Sequence, residues 1–152
     1  MAGLAAYESI AGTDTVAELV HLAKRLAGRR VVMINATRLG GGVAEILSWM
    51  VPLLTELGLE VRWEIIEGSE PFYRVTKAFH NALHGTPESI SQEQYDLFLE
   101  VGRANAERLA LDQDIVFIHD PQPIVLVERR PRRPNARWLW RCHIDVSRPA
   151  SK

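Results

Sequence analysis

Apolar residues change their spacing along this chain, and each change marks an element. Val16, Leu19, Val20, Ala23, Leu26 and Ala27 recur at three and four positions, the period of one helix face. Thr13 or Asp14 stands ahead of them as a cap, and Gly28 closes the helix. The period then collapses into a continuous run, VVMI, which predicts a buried strand from Arg30 to Ala36. Helical spacing returns at Val43 to Leu57, where Ile46, Leu47, Met50, Leu53, Leu54 and Leu57 form a broad apolar face. Pro52 inside that stretch predicts a kink or a wide turn. Leu59 to Ile66 reads as a second strand, and residues 67–71 as a break.

The pattern continues in the same rhythm. Phe72, Val75, Phe79 and Leu83 predict a helix over Phe72 to Leu83, and a longer one covers Gln92 to Leu111 with an acidic start suited to the helix dipole. Asp114 to His119, DIVFIH, is a third strand. Ile124 to Arg129 forms a short helix, residues 132–135 a loop, and Ala136 to Ile144 the last strand. Strands alternating with helices imply a parallel α/β sheet, Rossmann-like, with helices on both faces.

In such a sheet ligands bind beyond the carboxyl ends of the strands. Those ends carry Asn35 to Gly42, Glu67-Gly68, His119-Asp120 and His143 to Asp145, whereas the strand interiors are almost wholly apolar. The first end is the most distinctive. A strand runs into Gly40-Gly41-Gly42 and then a helix, and residues without Cβ reach positive φ and admit a ligand to the backbone. The helix N-terminus behind them is an anion site. Three glycines in such a loop are more often ordinary turn punctuation than a ligand cradle, so the loop alone does not make a site.

Composition narrows the function. At 152 residues, with 47% hydrophobic residues and a net charge of −1, the chain suits one domain without a broad nucleic-acid-binding surface. Arg129, Arg130, Arg132 and Arg133 form a local basic run, broken by prolines, that reads as a solvated loop. The single cysteine, Cys142, excludes an internal disulfide and suits a reducing cytoplasm. No apolar run approaches the ~20 residues of a membrane span, and a secretory signal is not visible.

Individual residues allow two readings each. Asp120 either caps the helix after Pro121 or serves a site, where its carboxylate accepts hydrogen bonds from sugar hydroxyls or takes a proton. His119 reads as structural, bonded to nearby backbone, and His143 as a neutral imidazole able to bond a hydroxyl. Asp145 can cap a turn. Cys142 alternates with His143 and so faces the core. Trp49, Trp63, Trp138 and Trp140 read as packing residues. His80 and His84 lie four apart, but no third ligand accompanies them, so no metal is expected.

Five stretches together resemble a known family. His119 to Pro123 and Trp140 to Asp145 are similar to the N-terminal domain of trehalose synthases and trehalose phosphorylases of the retaining glycosyltransferase type, as are Arg38 to Glu45, Thr76 to Leu83 and the opening Tyr7 to Ile10. The resemblance implies a GT-B architecture of two Rossmann-like domains, of which residues 1–152 are the acceptor-side half, cut short at its C-terminal end. It implies that Gly40, Gly41 and Gly42 lie beside the donor phosphates, that Asp120 binds acceptor hydroxyls and that His143 contacts the donor sugar. The expected partners are glucose, trehalose and an activated glucose donor, together with a missing C-terminal nucleotide-binding domain; no cofactor is implied. Apolar surface left by the missing half is a route to a homodimer. The competing readings are a non-catalytic sugar-binding or regulatory module and a dinucleotide-binding oxidoreductase domain, the latter weakened because GGG is not the G-x-G-x-x-G fingerprint.

Overall fold

A computed structural model describes residues 3–131 and 135–150. Four parallel strands form one sheet in the order β2-β1-β3-β4, with β1 at Arg30–Asn35, β2 at Glu60–Ile65, β3 at Ile115–His119 and β4 at Arg137–Arg141. Alternation along each strand divides the core in two. Val32 and Ile34 of β1, with Val116 and Ile118 of β3, face α4 (Glu70–Leu83) and α5 (Gln92–Arg108), where Phe72, Val75, Phe98 and Leu126 complete the packing. Val31 and Met33 face α3 (Gly42–Glu56) and close on Leu47 and Leu59. Helices therefore cover both faces, as the periodicity predicts. The fully buried side chains among these contribute roughly 1.5–3 kcal/mol each.

Local chemistry sets the element ends. Ser91 and Gln94 form a reciprocal capping box at the start of α5. Ser69 accepts from Phe72 N and puts Pro71 in the first turn of α4, so that helix begins two residues earlier than the apolar spacing indicates. On the tight side of the fold, a Cβ on Gly102 would stand 2.4 Å from Val125 Cβ, so only glycine lets α5 approach the 3₁₀ segment Ile124–Arg129. That segment is the predicted short helix in its tighter form.

Several expectations require correction. A helix, α1 (Leu4–Ala11), precedes the predicted first one; it has no buried residue, so periodicity gave no signal. Gly12, at φ 84°, is the N-cap of α2 (Thr13–Ala23), and neither Thr13 nor Asp14 caps it. Only Val16 and Ala23 of the expected stripe are buried, while Val20 and Leu26 stay exposed. Helix α3 continues through Pro52, and Ile46 on its expected buried face is exposed. Helix α5 stops at Arg108 because Leu109 is extended. β4 stops at Arg141, three residues short of the predicted end. Trp49 and Trp140 are at least half exposed and are not core residues. Arg132, Arg133 and Pro134 of the predicted loop lie outside the described residues.

Candidate functional site

The strand order decides where the ends meet. β2 lies on one side of β1 and β3 on the other, so the chain reverses its winding at β1 and the loops after β1 and β3 separate from one another. An open cleft of 440 Å³ occupies that point, lined by Asn35, Gly40 to Ala44, His80, His119, Asp120, Gln122 and His143 among others. Glu67 and Gly68, expected to join this edge, line a different surface beside Asn105 and Arg108. Asp145 is also outside the cleft; its carboxylate accepts from Ser147 N at 2.9 Å, the turn cap expected of it.

The glycine loop forms the wall over β1. Gly40 and Gly41 have φ of 74° and 81°, the left-handed region that side chains resist. Gly42 is different: its φ is ordinary and its missing Cβ would meet nothing within 4 Å. The three glycines thus divide, two needed by the backbone and the third simply leaving the cleft open. Gly41 is the N-cap of α3, and the first intrahelical bond runs from Glu45 N to Gly41 O. The backbone N–H groups of residues 42–44 precede that bond and lie along the cleft. Beneath them the buried Asn35 side chain accepts from Trp63 Nε1 at 2.7 Å and donates to Thr37 O at 2.7 Å. Trp63 in turn carries the Arg38 guanidinium 5.0 Å above its ring. The loop is held from below.

Asp120 forms the opposite wall. It has φ 66°, the one non-glycine residue with positive φ among those described. Three hydrogen bonds hold that strained backbone: Asp120 N donates to Arg141 O at 2.8 Å, Trp140 Nε1 donates to Asp120 O at 2.9 Å, and Asp120 Oδ1 accepts from His143 N at 2.7 Å. The carboxylate does not cap the following 3₁₀ segment, whose N-cap is Pro123 without a side-chain bond. It fastens the end of β4 to the end of β3 instead, and Oδ2 takes no hydrogen bond among the described residues.

His119 and His143 complete the floor. Their rings meet through His119 Nδ1 and His143 Nε2 at 3.0 Å. The expectation that His119 bonds nearby backbone is therefore wrong; its partner is the second histidine. His119 is 1% exposed, stacks on Phe117 at 4.3 Å, and leaves Nε2 buried without a partner. Burial first, then the charges at His143 and Arg141, push its pKa down to about 4. His143 is also held below the usual imidazole range, chiefly by burial and against the pull of Asp120. Cys142 sits half-buried beyond the strand with Sγ 3.8 Å from Ile144 O, not in the core.

The structure thus brings Gly40, Gly41, Gly42, Asp120 and His143 to one cleft. Asn35, expected at the end of β1, lines it too, and the structure adds Gln122 and His80, which the sequence reading did not place there. His80 was visible only as half of an i,i+4 pair with His84, and the direction in which it points depends on how α4 packs. In place its pKa is lowered by burial and Lys77, with Asp120 opposing them. Among the described residues no group of three or more metal-binding side chains gathers, and no helix is long and apolar enough to cross a membrane.

A doubly wound α/β domain with a glycine-walled cleft at its switch point is a small-ligand-binding fold. Residues 33–152 match the family described as the N-terminal domain of trehalose synthase, and the chain belongs to that family. It is 49% identical over 150 residues to a trehalose synthase of Rubrobacter xylanophilus and 46% identical over 145 residues to one of Pyrococcus horikoshii, matches covering 96% and 94% of this chain. A trehalose phosphorylase of Pleurotus pulmonarius is 32% identical over 154 residues, covering 92% of it. The chain spans about a third of the two synthases, 36% and 34% of their length, and 21% of the phosphorylase.

Proposed function

We propose that this chain is the acceptor-side domain of a retaining glycosyltransferase that forms or cleaves trehalose, with glucose as acceptor and a nucleotide-glucose or glucose phosphate as donor. The observation that carries the reading is Asp120, held in a strained backbone at the cleft with one carboxylate oxygen bonded to His143 N and the other without a hydrogen bond among the described residues. A fixed carboxylate of this kind accepts hydrogen bonds from vicinal hydroxyls and holds a sugar in one orientation. His143 then meets the donor sugar, and the N–H groups at the start of α3 face the donor phosphate, whose negative charge they favour.

Retention on this reading requires no protein nucleophile. The departing phosphate takes the proton of the incoming hydroxyl on the same face of the ring, while the protein supplies alignment and charge stabilisation. The groups that neutralise the donor phosphates come from a second domain, which accords with relatives about three times as long and leaves residues 1–152 inactive by themselves. The test is a transfer assay on the chain joined to its second domain, with glucose and either donor, following the product's anomeric configuration by NMR. Trehalose formed with retention supports the reading. Sugar binding without transfer makes the chain a sugar-binding module, and turnover by the 152 residues alone removes the need for the second domain.

A further inference from the structure

The ring-to-ring bond between His119 and His143 carries information about protons that neither ring has alone. Two imidazole nitrogens 3.0 Å apart share one hydrogen, and at neutral pH each ring has a single N–H to place. Burial lowers both rings' affinity for a second proton. Two arrangements remain. If His143 Nε2 carries the shared hydrogen, His119 must keep its own on Nε2, a buried position with no acceptor. Gln122 Oε1 is also buried and unpartnered, so it does not accept that bond. If His119 Nδ1 carries the hydrogen, His119 Nε2 becomes a bare lone pair, and no N–H is orphaned. Orphaned buried N–H groups are the rarer defect.

We infer that His119 is a positioning residue, whose Nδ1–H donates to His143 Nε2 and so places the single proton of His143 on Nδ1 as a fixed donor toward the cleft. His143 Nδ1 has no bond to any described residue, and the ring lines the cleft. Asp120 reinforces the arrangement from the backbone side by accepting from His143 N. The ligand oxygen that meets this N–H belongs to a sugar on the reading above; the tautomer itself stands without that reading. A free neutral imidazole prefers its proton on Nε2, so the pair imposes the less favoured form on His143. Ligands offering an acceptor oxygen at that point gain, and those offering only a donor lose about tenfold.

The test is nitrogen-15 NMR of the imidazoles in the 152-residue chain at pH 8, where both rings are neutral. The expected spectrum shows His143 protonated at Nδ1 and bare at Nε2. His119→Asn, whose amide N–H₂ can stand in for Nδ1–H, keeps that tautomer, and His119→Leu returns His143 to the Nε2–H form. A wild-type spectrum with His143 protonated at Nε2 overturns the assignment without reference to any variant. So does an Asn variant that behaves as Leu does. A confirmed tautomer in a protein that makes no trehalose once joined to its second domain upholds the positioning role and sinks the sugar reading instead.

Discussion

Both ends of this sheet carry polar and charged residues, and they differ in what those residues are left to do. At the amino edge Asp114 Oδ2 accepts from Arg30 N at 2.9 Å, Asp114 O from Arg137 N at 2.8 Å, and Asp112 O from the Arg30 guanidinium at 3.0 Å. The charges there answer one another, Arg30 and Asp112 exposed and Asp114 half-buried. Among the described residues at the carboxyl edge, Asp120 leaves an oxygen open, His143 leaves a nitrogen open, and His119 Nε2 and Gln122 Oε1 are buried without partners. The third such buried atom among the described residues, Trp138 Nε1, lies against the α5-side core. Left-handed glycines stand at both edges, Gly28 and Gly58 before β1 and β2 and Gly40 and Gly41 after β1, but the one non-glycine residue with positive φ among those described, Asp120, sits at the carboxyl edge. The strained Asp120 and the underpaired buried atoms beside it are what single out the carboxyl edge as the place of the proposed ligand.

Breaking the carboxyl edge at Asp120 has the largest expected effect. Asp120→Ala, in the protein joined to its second domain, removes both the open oxygen and the tie to His143 N. We expect kcat/KM for the acceptor to fall about a hundredfold, measured from both Michaelis constants alongside the melting temperature. Unchanged kinetics with a lowered melting temperature would falsify the assignment.

The histidine pair gives the next effect, on stability. The folded His119 titrates near 4, whereas in the unfolded chain it returns to about 6.5. Between those values the unfolded state binds more protons, so its contribution is complete above pH 6.5 and is lost as pH falls toward 4. Urea unfolding should show about 2 kcal/mol less stability at pH 5 than at pH 7.5 from this group. His143, also depressed, adds in the same direction; Arg141 reinforces both shifts, and Asp120 opposes that of His143. The slope should flatten in His119→Asn, and an unaltered slope assigns it to other groups.

A smaller effect separates the glycines. Gly41→Val forces a β-branched residue to φ 81°, and ligand affinity should drop about tenfold through backbone strain of 1–2 kcal/mol. Gly42→Ala, at an ordinary φ with open space around its Cβ, should bind nearly as the parent does. Equal losses in a calorimetric titration of the two variants would mean that side-chain bulk, not backbone conformation, governs the loop.

The amino edge should give the least. Asp114→Ala removes one half-buried carboxylate that meets the backbone N–H and the guanidinium of Arg30, which costs about 1 kcal/mol of stability. Kinetics identical to the parent are expected. A kinetic defect there comparable with that of Asp120→Ala would erase the contrast between the edges.

Much of this was legible before any coordinates. The runs VVMI and DIVFIH, the helical spacings and the glycine loop are local signals, because burial on a strand or one face of a helix is written in the period of the apolar residues themselves. The parallel α/β class and the gathering of Gly40, Gly41, Gly42, Asp120 and His143 followed from those signals and one rule about strand ends. What the chain could not declare was anything that depended on a partner far away in sequence. Helix α1 buries no residue, so no period announced it. Trp49 and Trp140 are apolar in composition but meet too few neighbours to be core. Asp120 before Pro121 has the local form of a cap, yet its carboxylate bonds His143 N, 23 residues on, because β4 pairs beside β3. The meeting of His119 with His143 and the entry of His80 into the cleft were likewise decided by strand order and helix docking. Periodicity is a property of neighbours in sequence; the proton on His143 is a property of neighbours in space.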